Sequence, residues 1–179
     1  FERLKQLFDM IAPKEWERAI IAEISGTVES IDINNLHKII TIANELDRRV
    51  YKVSVNANLR VNLHDEVKIG DKITEGSIDI NELLRVSGIY AVRNYMIKEV
   101  QKVYRLQGIE IADKYIEVIV RQLTSRMQIQ LPNDSKWLIH EVVDINAFRD
   151  ECTRLLLDNK IPPTAVNIVY GLERTQTHP

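Results

Sequence analysis

The apolar residues of this 179-residue chain change their spacing near Gly76, and this change constrains the fold more than any other feature. From Ala19 to about Gly76 they recur in short runs or at every second position, as in Tyr51, Val53 and Val55, which is typical of strands. After Gly76 they recur at intervals of three and four residues, which is typical of helices. We therefore expect an α+β chain in which a strand-rich region is followed by a helical one.

Residues 18–76 are predicted to form a β-rich domain. Its strands are predicted at 19–24, 27–31, 38–43 and 49–55. Gly26 predicts a bulge or bend, Asn34-Asn35 predicts a turn, and Gly70-Asp71 predicts a turn between two further short strands. Several short strands with turns at this spacing favour a small β barrel or a sandwich-barrel hybrid.

The residues on either side of this domain are predicted to be mainly helical. Residues 1–17 predict a short helix and a linker, because Leu4, Leu7 and Phe8 recur at helical spacing and Pro13 follows. Residues 77–179 predict a helical module with a closing strand. Its helices are predicted at 81–87, at 89–107, after Asp113 and after Asp144, and its closing strand at 165–170. Asp113 and Asp144 are the predicted N-caps, and Gly88 is a predicted C-cap.

No arrangement of reactive residues indicates that this chain is a catalyst. The histidines are scattered, so none has a second His or Cys at a chelating interval. Cys152, the one cysteine, falls on the apolar stripe of its predicted helix, and no phosphate-binding glycine motif is present. We therefore expect no catalytic residue, and no metal or cofactor bound by the chain itself.

Composition indicates a soluble protein that does not contact membranes. Hydrophobic residues make up 45% and charged residues 28%, and the apolar runs are far shorter than a membrane span. A single cysteine fits a reducing compartment. The chain begins with Phe1 and not Met, so we expect a fragment of a longer protein.

Basic residues indicate one class of partner. Arg48, Arg49 and Lys52 cluster at the start of a predicted strand, and seven Lys or Arg stand against four Asp or Glu between Arg93 and Arg126. Such side chains bind phosphates without reading the bases. An ordinary solvated surface explains both clusters equally well, and the net charge of -2 excludes a polycationic chain.

Three long segments of the helical half carry a family resemblance. They are Gly88-Ile-Tyr-Ala-Val92, Glu99-Val-Gln-Lys-Val-Tyr-Arg-Leu-Gln-Gly108 and Asp113-Lys-Tyr-Ile-Glu-Val-Ile-Val-Arg-Gln122. These segments closely resemble the beta-prime subunit of bacterial DNA-directed RNA polymerase. Upstream, Pro13-Lys-Glu15 and Ile21-Ala-Glu-Ile-Ser-Gly26 resemble the start of the jaw of that subunit. The resemblance covers nearly the whole chain.

The resemblance implies a piece of a transcription enzyme, a nucleotidyltransferase, without its active site. In that family the region forms the jaw of the cleft for downstream duplex DNA, together with helices that brace the catalytic module. The implied partners are other polymerase subunits, downstream DNA and transcription factors that dock on the jaw. The implied location is the bacterial cytoplasm, at the nucleoid. The magnesium motif and cysteine-bound zinc sites of the family have no counterpart here, so the whole subunit is expected to bind those metals elsewhere.

Lys14, Arg48 and Arg49 are the candidate nucleic-acid-binding residues. Lys14 carries over from the Pro-Lys-Glu motif, whereas Arg48 and Arg49 are candidates through their charge. Relatives often have two arginines before this motif, where this chain has Ile11 and Ala12. Residues 30–36 also lack the lysines that are frequent in relatives, and residues 16–18 resemble a small insertion. These departures remove positive charge from surfaces expected near DNA, and no family roles are assigned after Gln130.

A freestanding binding or carrier module on a barrel-sandwich hybrid is the alternative hypothesis. Biotinyl and lipoyl carriers use a turn of the Gly70-Asp71 kind. No lysine of this chain has the hairpin-tip setting that such attachment needs. A carrier would show biotin or lipoate on one lysine in an intact-mass measurement.

Overall fold

A computed structural model of the chain describes residues 2–171, which divide into two compact units. Residues 12–91 form the β unit, and residues 2–11 with 92–171 form the helical unit. The elements in chain order are α1 (Glu2–Phe8), β1 (Gly26–Ile33), β2 (His37–Ala43), β3 (Arg48–Ser54), β4 (Glu66–Val67), α2 (Ile80–Ser87), α3 (Ile89–Leu106), α4 (Asp113–Leu123), β5 (Arg126–Leu131), β6 (Val142–Asp144), α5 (Ile145–Leu157) and β7 (Thr164–Ile168). The mixed α and β character predicted from residue spacing is confirmed.

The β unit is built on one antiparallel sheet with the strand order β3-β2-β1-β4. The predicted strands at 27–31, 38–43 and 49–55 correspond to β1, β2 and β3 and are confirmed. The sheet curls around a single core formed by one face of its strands and by residues from the surrounding loops. The core residues are Ala22, Val28, Ile40, Ile42, Tyr51, Val53, Val61, Val67 and Ile73.

Both long hairpins of this sheet turn on an asparagine. The Asn34 Oδ1 accepts hydrogen bonds from the backbone N–H groups two and three residues further on, at 2.9 and 2.7 Å. Asn44 makes the same two bonds in the next turn, both at 2.8 Å. These local bonds give the backbone N–H groups of the turn an acceptor at the point where the chain reverses. The turn predicted at Asn34-Asn35 is therefore confirmed, with Asn34 as its hydrogen-bonding residue.

A β-bulge lies in β1 at Glu29 and not at Gly26. Val28 pairs with Ile42 and Ser30 pairs with Thr41, so one extra residue stands between two consecutive pairs. Gly26 instead marks a close approach of two strands. A Cβ atom at Gly26 would overlap the carbonyl oxygen of Ala43.

The strand predicted at 19–24 is wrong. Ala19, Ile21 and Ala22 are buried, but this part of the chain forms isolated bridges and loop hydrogen bonds instead of a ladder. A short buried apolar run looks like a strand in sequence whether or not it has a pairing partner. The turn at Gly70 is confirmed, with φ of 88° and a bond from the Asp71 N–H to the Lys68 carbonyl. The residues after it form isolated bridges and no second strand.

The helices of the helical unit follow the predicted apolar stripes. Val92, Met96 and Val100 are buried on α3, and Val120 and Leu123 are buried on α4. A short helix before Pro13 is confirmed as α1, and α2 in the β unit ends at the predicted C-cap, Gly88. Among residues 2–171, no helix has the length and apolar character needed to cross a bilayer.

The two predicted aspartate caps had different outcomes. Asp144 is the N-cap of α5, where its carboxylate accepts from the N–H groups of Asn146 and Ala147. Asp113 is not a cap, because Ala112 occupies that position and Asp113 is the first helical residue of α4. The Asp113 carboxylate accepts a hydrogen bond from the side chain of Gln101 on α3 instead.

The helical unit contains a three-stranded sheet that sequence reasoning did not predict in full. Its order is β6-β5-β7, with antiparallel pairing on both sides of β5. The predicted closing strand corresponds to β7 and is confirmed, whereas β5 and β6 were missed. Helix α5 packs against β5 and β6, so this end of the chain is an α/β layer and not a helical bundle.

Candidate nucleic-acid interface

The candidate residues Arg48 and Arg49 begin β3, which is an edge strand of the sheet. Successive side chains of a strand point to opposite faces. Tyr51 is buried in the core, so Arg49 shares its face, while Arg48, Val50 and Lys52 share the face directed away from the core. The structure therefore separates the two arginines, although they are adjacent in sequence.

Each arginine has its own carboxylate partners. The Arg48 guanidinium lies 3.0 Å from a carboxylate oxygen of Glu29, the bulge residue of β1. Arg49 lies 3.2 Å from Glu23 and 3.2 Å from Asp47. Exposed ion pairs of this kind contribute about 0–1 kcal/mol, so a phosphate can replace a carboxylate at small cost. Nearby carboxylates thus compensate the charge of both arginines, but a phosphate can take the place of these carboxylates.

The surrounding hydrogen bonds position these carboxylates. Hydrogen bonds from the Arg48 backbone N–H and from the Arg49 side chain hold the pKa of Asp47 below its ordinary value. The Glu23 backbone N–H donates to the Tyr51 hydroxyl at 2.8 Å, which holds Glu23 near Arg49. Burial raises the pKa of Tyr51, so its hydroxyl stays neutral.

Lys14 lies in a turn outside the sheet. The Glu17 N–H donates to the Lys14 carbonyl at 2.8 Å, and the Lys14 ammonium lies 5.4 Å from the centre of the Trp16 ring. Trp16 is 80% exposed, so this cation–π contact is in water and contributes about 0.5–1 kcal/mol. Lys14 is accessible to a phosphate, but it is not a neighbour of Arg48 or Arg49 along the strand.

The basic residues of the helical half separate into two groups. Arg93 donates to the side chain and the carbonyl of Thr124, and Arg126 pairs with Asp144 at 3.3 Å, so both are structural. Lys98, Lys102 and Arg105 are exposed on α3 at spacings of four and three residues, which places them on one helix face. Sequence reasoning counted these cations but did not distinguish the two groups.

Sequence reasoning also missed a groove beside the end of β3. Its volume is about 650 Å³, and Lys52 and Val53 line one side while Trp16, Arg18 and Ile20 line another. An exposed tryptophan between charged residues, outside any apolar periodicity, was the sequence signal that marked it. Among residues 2–171, no group of three or more His, Cys, Asp or Glu side chains is arranged to bind a metal ion.

Comparison with known proteins identifies the class to which this chain belongs. The chain belongs to the family described as RNA polymerase Rpb1, domain 5, which matches residues 4–178. The resemblance inferred from the sequence motifs is therefore confirmed.

The curated relatives are beta-prime subunits of DNA-directed RNA polymerase. The subunit of Malacoplasma penetrans (strain HF-2) is 58% identical over 178 residues, which cover 97% of this chain and 14% of that protein. The subunit of Mycoplasmoides gallisepticum is 55% identical with the same coverage, and that of Ligilactobacillus salivarius is 37% identical over 96% of this chain. The chain spans about 14% of the length of these relatives.

Proposed function

We propose that this chain is the jaw and the following helices of a beta-prime subunit in a bacterial DNA-directed RNA polymerase. The observation that carries the proposal is the family match across residues 4–178, together with 58% identity to one such subunit. The proposed enzyme is a nucleotidyltransferase that transcribes DNA. The chain contributes to the cleft and to the support of the catalytic module, and the chemistry takes place elsewhere in the subunit.

We place the jaw in residues 18–76, between the linker of 1–17 and the helical module of 77–179. The curled sheet of the β unit supports a barrel-like jaw and is compatible with a sandwich-barrel hybrid. Its role is to lie beside downstream duplex DNA and touch phosphates without reading bases. Exposed Lys14, Arg48 and Arg49 supply these contacts in the proposal, since exposed ion pairs with carboxylates exchange readily for phosphates.

Exposed apolar residues support a second role as a scaffold. Leu131, Leu156, Leu157 and Ile161 of the helical unit are all more than half exposed. Apolar groups of this size are normally covered in an assembled protein. In the proposal, other parts of the subunit and other polymerase subunits cover them, since the chain spans about 14% of its relatives.

The remaining features of the proposal follow from the polymerase assignment. The partners are the other polymerase subunits, downstream duplex DNA and transcription factors that dock on the jaw. The location is the bacterial cytoplasm at the nucleoid. Magnesium and zinc belong to parts of the subunit outside this chain.

The proposal is tested by changing Lys14, Arg48 and Arg49 together to Ala in the whole polymerase. We expect promoter complexes to dissociate faster than those of the parent enzyme as salt is raised, because fewer phosphate contacts remain. The rate of nucleotide addition on a preformed elongation complex should stay nearly unchanged, because none of these residues is placed at the chemical step. Complex lifetimes are measured by competitor challenge across a salt series.

A matched variant controls for the loss of three positive charges. Lys5, Lys114 and Arg121 are exposed residues of the helical unit, and their joint change to Ala alters the net charge equally. We expect this control to follow the parent enzyme in every salt condition. If both variants behaved alike, Lys14, Arg48 and Arg49 would not lie on the DNA path.

A further inference from the structure

The outer edge of β3 carries unpaired backbone groups. In an antiparallel ladder, alternate residues direct both their N–H and C=O groups toward the same neighbour. The bond from the Val55 N–H to the Leu36 carbonyl fixes this alternation for β2 and β3. It directs the backbone groups of Val50 and Lys52 away from β2. Among residues 2–171, no hydrogen bond occupies these four groups.

The edge is also regular and accessible. The ladder of β2 and β3 runs without a register shift from Ala43 and Arg48 to His37 and Ser54. Val50 is 62% exposed, although it is apolar. Natural proteins protect such an edge with a bulge, a proline, a covering segment or charged side chains. The strand β3 has neither a bulge nor a proline, and its charges, at Arg48 and Lys52, repel basic strands but not acidic ones. A regular accessible edge can accept another strand.

The groove at the end of β3 gives an added strand a place to continue. The groove has a volume of about 650 Å³ and leads from Lys52 and Ser54 to the exposed ring of Trp16. Lys52 forms no ion pair among residues 2–171, whereas Arg18 acts on Glu82, a carboxyl whose pKa burial raises and Arg18 lowers. Of the two carboxylates that line the groove, Glu75 is paired with Arg60 at 3.5 Å and Glu15 has no ion pair among residues 2–171. The unpaired cation at Lys52, on the outer face of β3, therefore favours an acidic occupant at that end of the strand.

The side chains on the outer face discriminate between occupants. Arg48, Val50 and Lys52 give this face the order cation, apolar, cation. A second copy of β3 would place Arg48 opposite Lys52 in the register centred on Val50, and like charges opposite one another destabilise strand pairs. In the register centred on Tyr51 it would place Val50 opposite Lys52, with no carboxylate to pair either cation. An acidic strand from another protein would place carboxylates opposite the cations and an apolar residue opposite Val50. The pattern thus disfavours a second copy of this chain.

We propose that β3 is a docking edge for an extended acidic segment of another protein, which adds to the sheet as an antiparallel strand. The segment forms backbone hydrogen bonds to Val50 and Lys52, and its acidic side chains face Lys52 and Arg48. Its continuation enters the groove and contacts Trp16. Backbone bonds supply most of the attraction and the charges supply the selectivity, as in other strand-addition complexes.

The test uses assembled polymerase containing the full-length subunit and a designed peptide, acetyl-Thr-Glu-Thr-Val-Thr-Glu-Thr-amide. Its Glu and Val residues lie on one face and direct their N–H groups to the same edge. One derivative carries N-methyl groups on Glu, Val and Glu, and a second carries them on three Thr residues. Hydrogen exchange of residues 48–54 and the affinity of each peptide are measured.

We expect the parent peptide to bind and to slow exchange within residues 48–54 at the Val50 and Lys52 amides, which point away from β2. Methylation of the Glu-Val-Glu set should abolish binding, and methylation of the Thr set should leave it intact. Changing Lys52→Glu should weaken the parent peptide by about threefold to tenfold and favour a peptide with Lys in place of Glu. Equal binding of the two methylated peptides would overturn the proposal. So would slow exchange of the Val50 and Lys52 amides in free polymerase, because another part of the enzyme would then cover the edge.

Self-association is resolved in the same experiment. If residues 48–54 became protected with rising polymerase concentration and without peptide, the edge would pair with a second copy and the proposal would be wrong. Trp16→Ala is the second variant, since Trp16 is exposed and its loss leaves the core intact. We expect weaker binding of a peptide extended toward the groove and unchanged binding of the seven-residue peptide.

Discussion

Arg48 and Arg49 follow one another in the chain, yet they meet different carboxylates on different faces of β3. Arg48 pairs with Glu29 across the sheet, and Arg49 pairs with Glu23 and Asp47 near the hairpin. A side chain that changes partners when DNA arrives must first leave these carboxylates. The free energy that each arginine contributes to DNA binding is therefore the difference between its ion pair with a phosphate and its ion pair with a carboxylate. This difference is smaller than the contribution of an arginine that has no carboxylate partner before DNA binds.

At the same scale, Asp47 predicts how stability depends on pH. Its pKa in the folded chain is below that of the unfolded chain, because the Arg48 N–H and the Arg49 side chain bond its carboxylate. The resulting stability is fully present above the unfolded-state pKa of about 3.9 and is lost as pH falls through the folded-state pKa. We expect Asp47→Asn to lower stability at pH 6 and to converge on the parent in strong acid. Denaturant unfolding across pH measures this, and a constant difference at every pH would contradict it.

At the scale of elements, the cap of α5 can be tested with two substitutions. The Asp144 carboxylate accepts from two backbone N–H groups and also pairs with Arg126. Asp144→Ala removes both functions and should cost about 0.5–2 kcal/mol of unfolding free energy. Asp144→Asn keeps a good cap and loses the charge, so it should cost less. Equal losses in chemical denaturation would assign the effect to the ion pair and not to the cap.

The elements that sequence predicted well are those whose ends carry their own local signal. Asp144, Gly88 and Asn34 act through bonds to residues nearby in the chain, so their spacing was sufficient. The run 19–24 was predicted wrongly because pairing is decided by distant residues. In β5, Met127, Ile129 and Leu131 alternate over six residues, which is a weak strand pattern, and β6 has three residues, which are too few to show a period.

The candidate site was predictable in composition but not in geometry. The sequence shows that Arg48, Arg49 and Lys14 are basic, but it does not show which carboxylates approach them. Glu29 reaches Arg48 across the sheet, through a register that includes a bulge. The groove depends on residues 15–20 lying beside the end of β3, a contact between segments more than thirty positions apart. Such long-range placement has no local signature.

At the scale of the whole molecule, the free energy of unfolding depends on the fully buried apolar residues of the helices. Leu123 on α4 is fully buried, whereas Val118 on the same helix is 59% exposed. Leu123→Ala should lower the free energy of unfolding by about 2–5 kcal/mol, because it leaves a cavity in a packed core. Val118→Ala should change it by about 0.5 kcal/mol or less. A shared denaturation midpoint for the two variants would show that α4 is packed differently.

The net charge of -2 governs how the chain behaves on its own. We expect non-specific DNA affinity no tighter than about 10⁻⁴ M at physiological salt, since 26 acidic residues outnumber the 24 Lys and Arg. The isolated chain should also fail to polymerise nucleotides, because no catalytic constellation was found in its sequence. Fluorescence anisotropy with a labelled duplex measures the DNA affinity. A template-dependent synthesis assay measures nucleotide polymerisation. Affinity of about 10⁻⁶ M or tighter would require a continuous basic surface.

The extra residue at Glu29 has a consequence for how this sheet can change during evolution. Because of the bulge, buried Val28 and partly buried Ile31 both pack on the core although they are three positions apart. Removing one residue between them would restore an even spacing and keep both side chains inward. The loss of a single codon at this point therefore keeps both residues in the core, whereas the same event in β2 would turn half of that strand inside out. In an alignment of relatives, a gap between Val28 and Ile31 would indicate a change of length that keeps the core residues in place. A gap within β2 would indicate that the strand pairs in a different register.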